Sequence, residues 1–277
     1  MEKKYIFIVG MPRSGTTLLS ATLTRSGEAI GGAETQFFNK CYRMKRTLCL
    51  LDPFWPRLAV ATLKGITLSE QKVLELYGVS RESLYRQLSK SDRSTKSMFD
   101  ALMGLDGSTQ EKIVVEKTPN HLLHVDEIRK EIRGCKFLRI VRDPRGSAVS
   151  MKKLPWASAD PVENAKLISI WHRQSRKFFS ESHRDFYTVR YENWMKEPQF
   201  NIENICEFSG ITFDQKMLSP SDSDRRVMSM NEPWKNQVNA AYDISLADNW
   251  REQLNDNQSK KIMRICSAFA EEFGYAE

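Results

Sequence analysis

Apolar side chains run unbroken from Tyr5 to Val9 and stop at Gly10. Alternation would mark a strand with one wet face; a continuous β-branched and aromatic run marks a central parallel strand covered on both faces. Beyond the loop Gly10-Met-Pro-Arg-Ser-Gly15 the period changes, and Leu18, Leu19 and Leu23 predict a helix from Thr16 to about Arg25. Two more apolar strands are expected at 112–115 and 136–141. Between them Leu122, Leu123, Val125 and Ile128 predict a helix over 119–132. Strand, helix, strand implies a right-handed crossover and a parallel sheet.

The stretch 35–110 reads mostly as helix and loop, with no strand of its own. Ser69 is placed as the N-cap of a helix over 69–77 that carries Val73, Leu74 and Tyr77, Ser80 starts a second helix over 80–88, and 91–97 reads as a polar turn. Asp143-Pro144 opens another helix, with Asp as N-cap and Pro at the first helical position. A longer helix over 164–179, a short strand at 186–190 and helices over 201–209 and 259–273 complete the chain. Gly210 and Gly274 sit where C-terminal caps belong. With no repeat and no linker, the pattern describes one α/β domain over 1–277 with a helical insertion at about 36–110. That insertion is expected over the sheet edge or the substrate cleft.

Composition narrows the classes. The chain has 277 residues, 40% hydrophobic and 28% charged, which suits an ordinary globular core, and no apolar run reaches the roughly 18–20 residues of a membrane span. The net charge of +7 suits an anionic ligand, nucleic acid or an acidic membrane surface equally. Aromatic and basic residues are not interleaved as in a nucleic-acid module, so no nucleic-acid partner is expected. Five cysteines make an odd number without a CxxC pair and read as reduced thiols of a cytoplasmic protein. The start MEKKYIFIVG is too short in apolar residues for a signal-peptide core and reads as a native beginning that enters the first strand.

Chemistry first appears in Gly10-Met-Pro-Arg-Ser-Gly15-Thr16-Thr17, which has the GxxxxG spacing of a phosphate loop with Thr16 in place of the usual lysine. The glycines let amides turn inward, and the following helix offers the positive end of its dipole. Ser14, Thr16 and Thr17 add hydroxyls and Arg13 adds charge. The missing lysine argues against a kinase or NTPase.

MPRSGTT after a strand resembles the 5′-phosphosulfate loop of sulfotransferases that use 3′-phosphoadenosine 5′-phosphosulfate (PAPS). The arginine form is similar to protein-tyrosine sulfotransferases and their bacterial relatives. The resemblance implies a P-loop-like three-layer fold and transfer of a sulfuryl group from PAPS to an acceptor hydroxyl, releasing adenosine 3′,5′-bisphosphate without a metal. Arg142, at a strand end, and Ser150, eight residues on, resemble the 3′-phosphate motif; both are expected to converge on one phosphate, though Arg142 also has the plainer reading of a partner for Asp143. Glu34, nineteen residues after Gly15 in Ala33-Glu34-Thr35, resembles the catalytic glutamate, with the motif's first glutamate missing. A carboxylate there would take the hydroxyl proton as the O–S bond forms. Lys117 in Glu116-Lys117-Thr118-Pro119 resembles the Lys-x-Pro element and, with Arg13, would stabilise charge on the leaving oxygen; pairing with Glu116 is its alternative. Tyr191, in a YEDL-like segment after a late strand, is a candidate adenine contact or a packed strand-end tyrosine. Lys235 is a candidate for a closing loop within 220–245.

Two other classes stay open on sequence: a small-molecule phosphotransferase with Asp143 on Mg²⁺, and a non-catalytic nucleotide or anionic-saccharide binder. The acceptor is open among saccharide, lipid, phenol and peptidyl tyrosine. His121 and His124 are three apart but lack a third metal ligand nearby, so no metal site is expected. No Gly-x-Ser-x-Gly elbow supports a serine hydrolase.

Overall fold

A computed structural model describes residues 3–105, 113–180, 183–221, 224, 242 and 245–275. The first apolar run forms β1 (Lys4–Gly10) and the leucine period forms α1 (Thr16–Thr24). A short strand β2 (Ala29–Gly31) follows, then α2 (Phe37–Lys40), α3 (Arg43–Leu50), α4 (Arg57–Lys64), the hairpin strands β3 (Thr67–Leu68) and β4 (Gln71–Lys72), α5 (Val73–Leu76), α6 (Arg81–Lys90) and α7 (Thr95–Leu102). The sheet resumes with β5 (Ile113–Lys117). A 3₁₀ turn over Pro119–His124 leads into α8 (Val125–Glu131), β6 (Lys136–Val141), α9 (Pro144–Met151), α10 (Pro161–Ser175), β7 (Phe186–Arg190), α11 (Tyr191–Lys196) and α12 (Pro198–Ser209). The last described elements are α13 (Ser245–Asp248), α14 (Asp256–Ile265) and α15 (Ser267–Phe273).

The central sheet has the order β2-β5-β1-β6-β7, and every pairing in it is parallel. All strands therefore end on one edge, where the connecting loops gather. The pleat of β1 divides the core. Tyr5, Phe7 and Val9 enter one apolar cluster, and Ile6 and Ile8 enter the other. The first cluster includes Phe37, Phe38 and Phe99 from the insertion and Ile168 and Ile262 from α10 and α14. The second includes Leu19 and Leu23 of α1 and Ile202 and Ile205 of α12. This is the expected α/β arrangement, a parallel sheet between two helical layers. Phe7 lies 5.6 Å from Phe99 between ring centroids, so the insertion packs on the face of the sheet rather than over its edge. Each such buried ring contributes about 2–3 kcal/mol by burial.

Several local expectations are corrected. Ser69 does not cap a helix. Ser69 and Glu70 have φ of +47° and +69° and form the tip of the antiparallel β3–β4 hairpin, and helix resumes only at Val73. Two positive-φ residues are what a tight hairpin needs, but without glycine the sequence gives no sign of it. The polar turn at 91–97 ends at Ser94, whose side chain accepts from the Ser97 amide and caps α7. The helix expected over 119–132 opens as a 3₁₀ turn. Asp143, by contrast, caps α9 as expected, accepting from the Arg145 amide, and Gly210 and Gly274 adopt the left-handed C-cap at φ +72° and +66°. All five cysteines are free and buried, and burial raises the Cys41, Cys135 and Cys266 thiols to about 12.

Candidate active site

The loop after β1 is shaped by what its glycines lack. A Cβ on Gly10 would lie 2.5 Å from the Ile140 carbonyl oxygen on β6, so the loop leaves the sheet only as glycine. Gly15 has φ +101°, and a Cβ there would meet the Tyr191 ring at 2.8 Å. Arg13 also has positive φ, +68°, a conformation that costs a non-glycine residue about 1–3 kcal/mol and gathers at functional sites. No side chain caps α1, so its first amides face the cleft without a side-chain acceptor from the cap position. Thr16 and Thr17 line that cleft; Ser14 is fully buried and its hydroxyl donates to the Met11 carbonyl at 2.7 Å, bracing the turn.

The residues expected at a 3′-phosphate are joined through Arg13. Its Nε donates to Ser150 Oγ at 3.1 Å, and Arg142 Nη1 donates to the Arg13 carbonyl at 3.0 Å. Ser150 therefore meets the Arg13 side chain while Arg142 meets the Arg13 carbonyl, so the two residues expected at one phosphate are linked through Arg13. The alternative partner of Arg142 is taken as well, since Asp143 pairs with Arg145 at 2.7 Å. Arg142 Nη2 donates to the Leu246 carbonyl at 2.6 Å, and its guanidinium lies 4.4 Å over the Tyr191 ring. Its buried Nε has no hydrogen-bond partner among the described residues. A buried cationic donor without an acceptor costs stability unless an anion meets it, so the cradle of glycines, open helix amides and Arg142 fits a phosphate-bearing ligand.

The second half of the cleft rises from β2 and β5. Gly31 pairs with Val115 in parallel register, which brings the residues just beyond both strands to one edge. Lys117 Nζ donates to Glu34 Oε1 at 3.0 Å, and Gln36 Nε2 donates to Glu34 Oε2 at 2.8 Å. Lys117 thus pairs with Glu34 rather than with its neighbour Glu116. Glu116 is buried and accepts from Thr35 Oγ1 at 2.8 Å, Thr118 Oγ1 at 2.5 Å and His121 Nδ1 at 2.9 Å. Burial works to raise its carboxyl, but His121 and the two hydroxyls outweigh burial and hold it below the ordinary carboxylate range.

Arg13, Gly15, Thr16, Thr17, Glu34, Arg142 and Tyr191 all line one cavity of about 790 Å³; Lys117 and Ser150 bond to its lining residues Glu34 and Arg13, and Ser14 lies buried between Arg13 and Gly15. Sequence reasoning missed its outer wall: the hairpin tip from Thr67 to Glu70, the loop Leu154-Pro155-Trp156, and Trp171. It also missed Glu116 and His121 as a unit; the spacing of a strand-end glutamate and a histidine five residues on was the available signal. Lys235 lies outside the described residues. His121 is committed to Glu116, and no group of three or more His, Cys, Asp or Glu among the described residues is arranged to hold a metal. No described helix is long and apolar enough to cross a membrane.

Comparison with known proteins supplies independent findings. The sequence profile of the sulfotransferase family matches residues 5–215. A Caenorhabditis briggsae protein with the provisional name protein-tyrosine sulfotransferase is 21% identical over 280 residues, covering 99% of this chain and 89% of that one. Protein-tyrosine sulfotransferase 1 of Danio rerio is 25% identical over 77% of this chain, which spans about half of that longer relative, 55%. Among solved structures, the sulfotransferase domain of the Synechococcus PCC 7002 olefin synthase superposes with a TM-score of 0.68 at 19% identity, covering 100% of this chain and 96% of that one. Mouse sulfotransferase SULT7A1, solved in complex with PAP, superposes with a TM-score of 0.53 at 13% identity, over 100% of this chain and 86% of that one. At these identities the two superpositions speak to the fold.

Proposed function

The chain belongs to the sulfotransferase family, and from that premise we propose that it moves a sulfuryl group from PAPS to an acceptor hydroxyl, with Glu34 as the general base. The observation that carries this reading is the 3.0 Å pairing of Glu34, which lines the same cavity as the phosphate loop, with the buried Lys117. A base and a cation are held together where the acceptor oxygen and the leaving oxygen must both be served. Glu34 accepts the hydroxyl proton as the acceptor oxygen bonds to sulfur. The bond from sulfur to the 5′-phosphate oxygen breaks, and its electron pair stays on that oxygen. Lys117 and Arg13 offset the charge that develops there.

The donor end follows from the cradle. Gly15, Thr16 and Thr17 surround the 5′-phosphate with amides and hydroxyls, and Ser14 holds the turn that presents them. Arg142, whose Nε has no partner among the described residues, takes the 3′-phosphate. Ser150 positions Arg13, and Tyr191 supplies the ring face beside the adenine. The PAP bound to SULT7A1 supports this choice of nucleotide. At the acceptor end the names of the relatives support a peptidyl tyrosine. The apolar wall of Leu68, Leu154, Trp156 and Trp171 gives a phenol ring a surface to pack on.

Two measurements test the reading together. Calorimetric titration with adenosine 3′,5′-bisphosphate in EDTA should show metal-free binding, and Mg²⁺-ATP should compete poorly. Glu34→Gln should keep that binding and lose about 10²–10⁴-fold in turnover of a tyrosyl peptide with PAPS. Binding of Mg²⁺-ATP alone would transfer the site to a phosphotransferase, and turnover near wild type in Glu34→Gln would remove Glu34 from its role.

A further inference from the structure

We propose that His121, which has no exposed surface, is the positioning residue of the base: through Glu116 it locks the segment that carries Glu34 onto the strand that carries Lys117. The proposal rests on the reading of Glu34 as the general base.

Four successive amides after Glu34 end on one side-chain network. Thr35 N–H donates to Glu116 Oε1 at 3.4 Å, Gln36 N–H to Thr118 Oγ1 at 3.3 Å, Phe37 N–H to Thr35 Oγ1 at 3.3 Å and Phe38 N–H to His121 Nε2 at 3.2 Å. Phe37 and Phe38 open α2 and Gln36 is its N-cap, so their amides are ones the helix leaves without partners of its own, and Thr35 stands just before them. Three of the four acceptors belong to the segment from Glu116 to His121, so the base-bearing segment is hung directly on the end of β5. Gln36, at φ +52°, sits in the middle of this row. Its backbone is set by bonds on either side, and its side chain then reaches back to Glu34 Oε2.

The chemistry of the imidazole fixes the direction of the chain. Phe38 N–H is a donor and requires the lone pair of Nε2, so the ring proton sits on Nδ1 and is given to Glu116 Oε2. One residue thereby satisfies an amide of α2 and a carboxylate of β5 simultaneously. Its ring also packs against Phe38, 5.4 Å between centroids, and Phe7, 6.5 Å, so the aromatic shape is filled by the core. Phenylalanine keeps that shape and removes both hydrogen bonds; asparagine keeps a donor near the position of Nδ1.

The test compares His121→Phe and His121→Asn with wild type, each also on the Glu34→Gln background. Amide hydrogen exchange over residues 34–40 should speed up about tenfold or more in His121→Phe, with β1 unchanged. Turnover of a tyrosyl peptide should fall roughly 10- to 100-fold, the loss a misplaced reacting group brings. The affinity for adenosine 3′,5′-bisphosphate should stay within about twofold, and His121→Asn should recover part of the loss. On the Glu34→Gln background the further loss in turnover should vanish. Unchanged exchange over 34–40 overturns the proposal whatever the activity. So does an equal loss on both backgrounds, which is the mark of a merely structural residue. Near-normal turnover in Glu34→Gln alone defeats the base assignment first, and so separates that failure from this one. If His121→Phe does not fold, Thr35→Val removes one donor to the same carboxylate and must show the same exchange pattern on a smaller scale.

Discussion

The two halves of the cleft are built in different ways. The half proposed for the donor consists of residues within a few positions of a strand end: the loop after β1, Arg142 after β6 and Tyr191 after β7. Their places follow from strand register, which the two-sided core enforces. The half proposed for the acceptor is made of a hairpin tip, the loop Leu154-Pro155-Trp156 and the side chain of Trp171 on α10. These are pieces from three distant segments whose meeting depends on how the insertion packs. On the proposed reading, the parallel sheet fixes the place of the anion, while the covering layer is free to vary the acceptor.

The sharpest way to break this division is at Gly15. Alanine there would sit at φ +101° and press its Cβ to 2.8 Å from Tyr191, so both the loop and the Tyr191 ring must move. Strain of about 1–3 kcal/mol before any loss of contact leads us to expect bisphosphate affinity to fall by roughly 100-fold or more. Isothermal calorimetry checks it. An unaffected affinity would mean that the cradle does not hold the 5′-phosphate. Arg142→Ala follows with a smaller effect. It removes one charge-assisted site of about 1.5–3 kcal/mol, a loss of roughly 10- to 100-fold in the same titration. Removal of the 3′-phosphate from the ligand should cost wild type a similar factor and cost the variant little. If both proteins lose equally, Arg142 does not face the 3′-phosphate.

What could be read in advance follows the same division. The run Tyr5–Val9 could be read because a strand buried on both faces admits few polar residues, and β1 carries the loop. Asp143-Pro144 could be read because capping is local. The positions of Glu34 and Lys117 came from motif resemblance, and the structure adds that the β2–β5 register brings them within 3.0 Å. The β3–β4 hairpin could not be read, since Ser69 and Glu70 are held in the left-handed region by their surroundings rather than by their own preference. His121 was weighed as half of a metal pair because spacing alone cannot say that its two nitrogens are spent on Glu116 and Phe38. In each missed case the deciding partner lies far along the chain or in another element.

The mildest expected effect probes the acceptor half. Trp156 is 58% exposed although it lines the cavity, so its ring offers a face to a ligand more than it supports the core. Trp156→Ala should therefore leave the melting transition within about a degree or two and the bisphosphate affinity unchanged, because surface substitutions away from buried groups stay within about 0.5 kcal/mol. The KM for a tyrosyl peptide should rise about 3- to 10-fold, the loss of one partly exposed aromatic contact worth about 0.5–1.5 kcal/mol. Trp156→Phe should restore most of it. A rise in KM for PAPS instead would place Trp156 on the donor side and erase the boundary drawn between the halves. A KM unchanged for the peptide would show that the acceptor lies along the hairpin tip, where Glu70→Gln is the corresponding substitution.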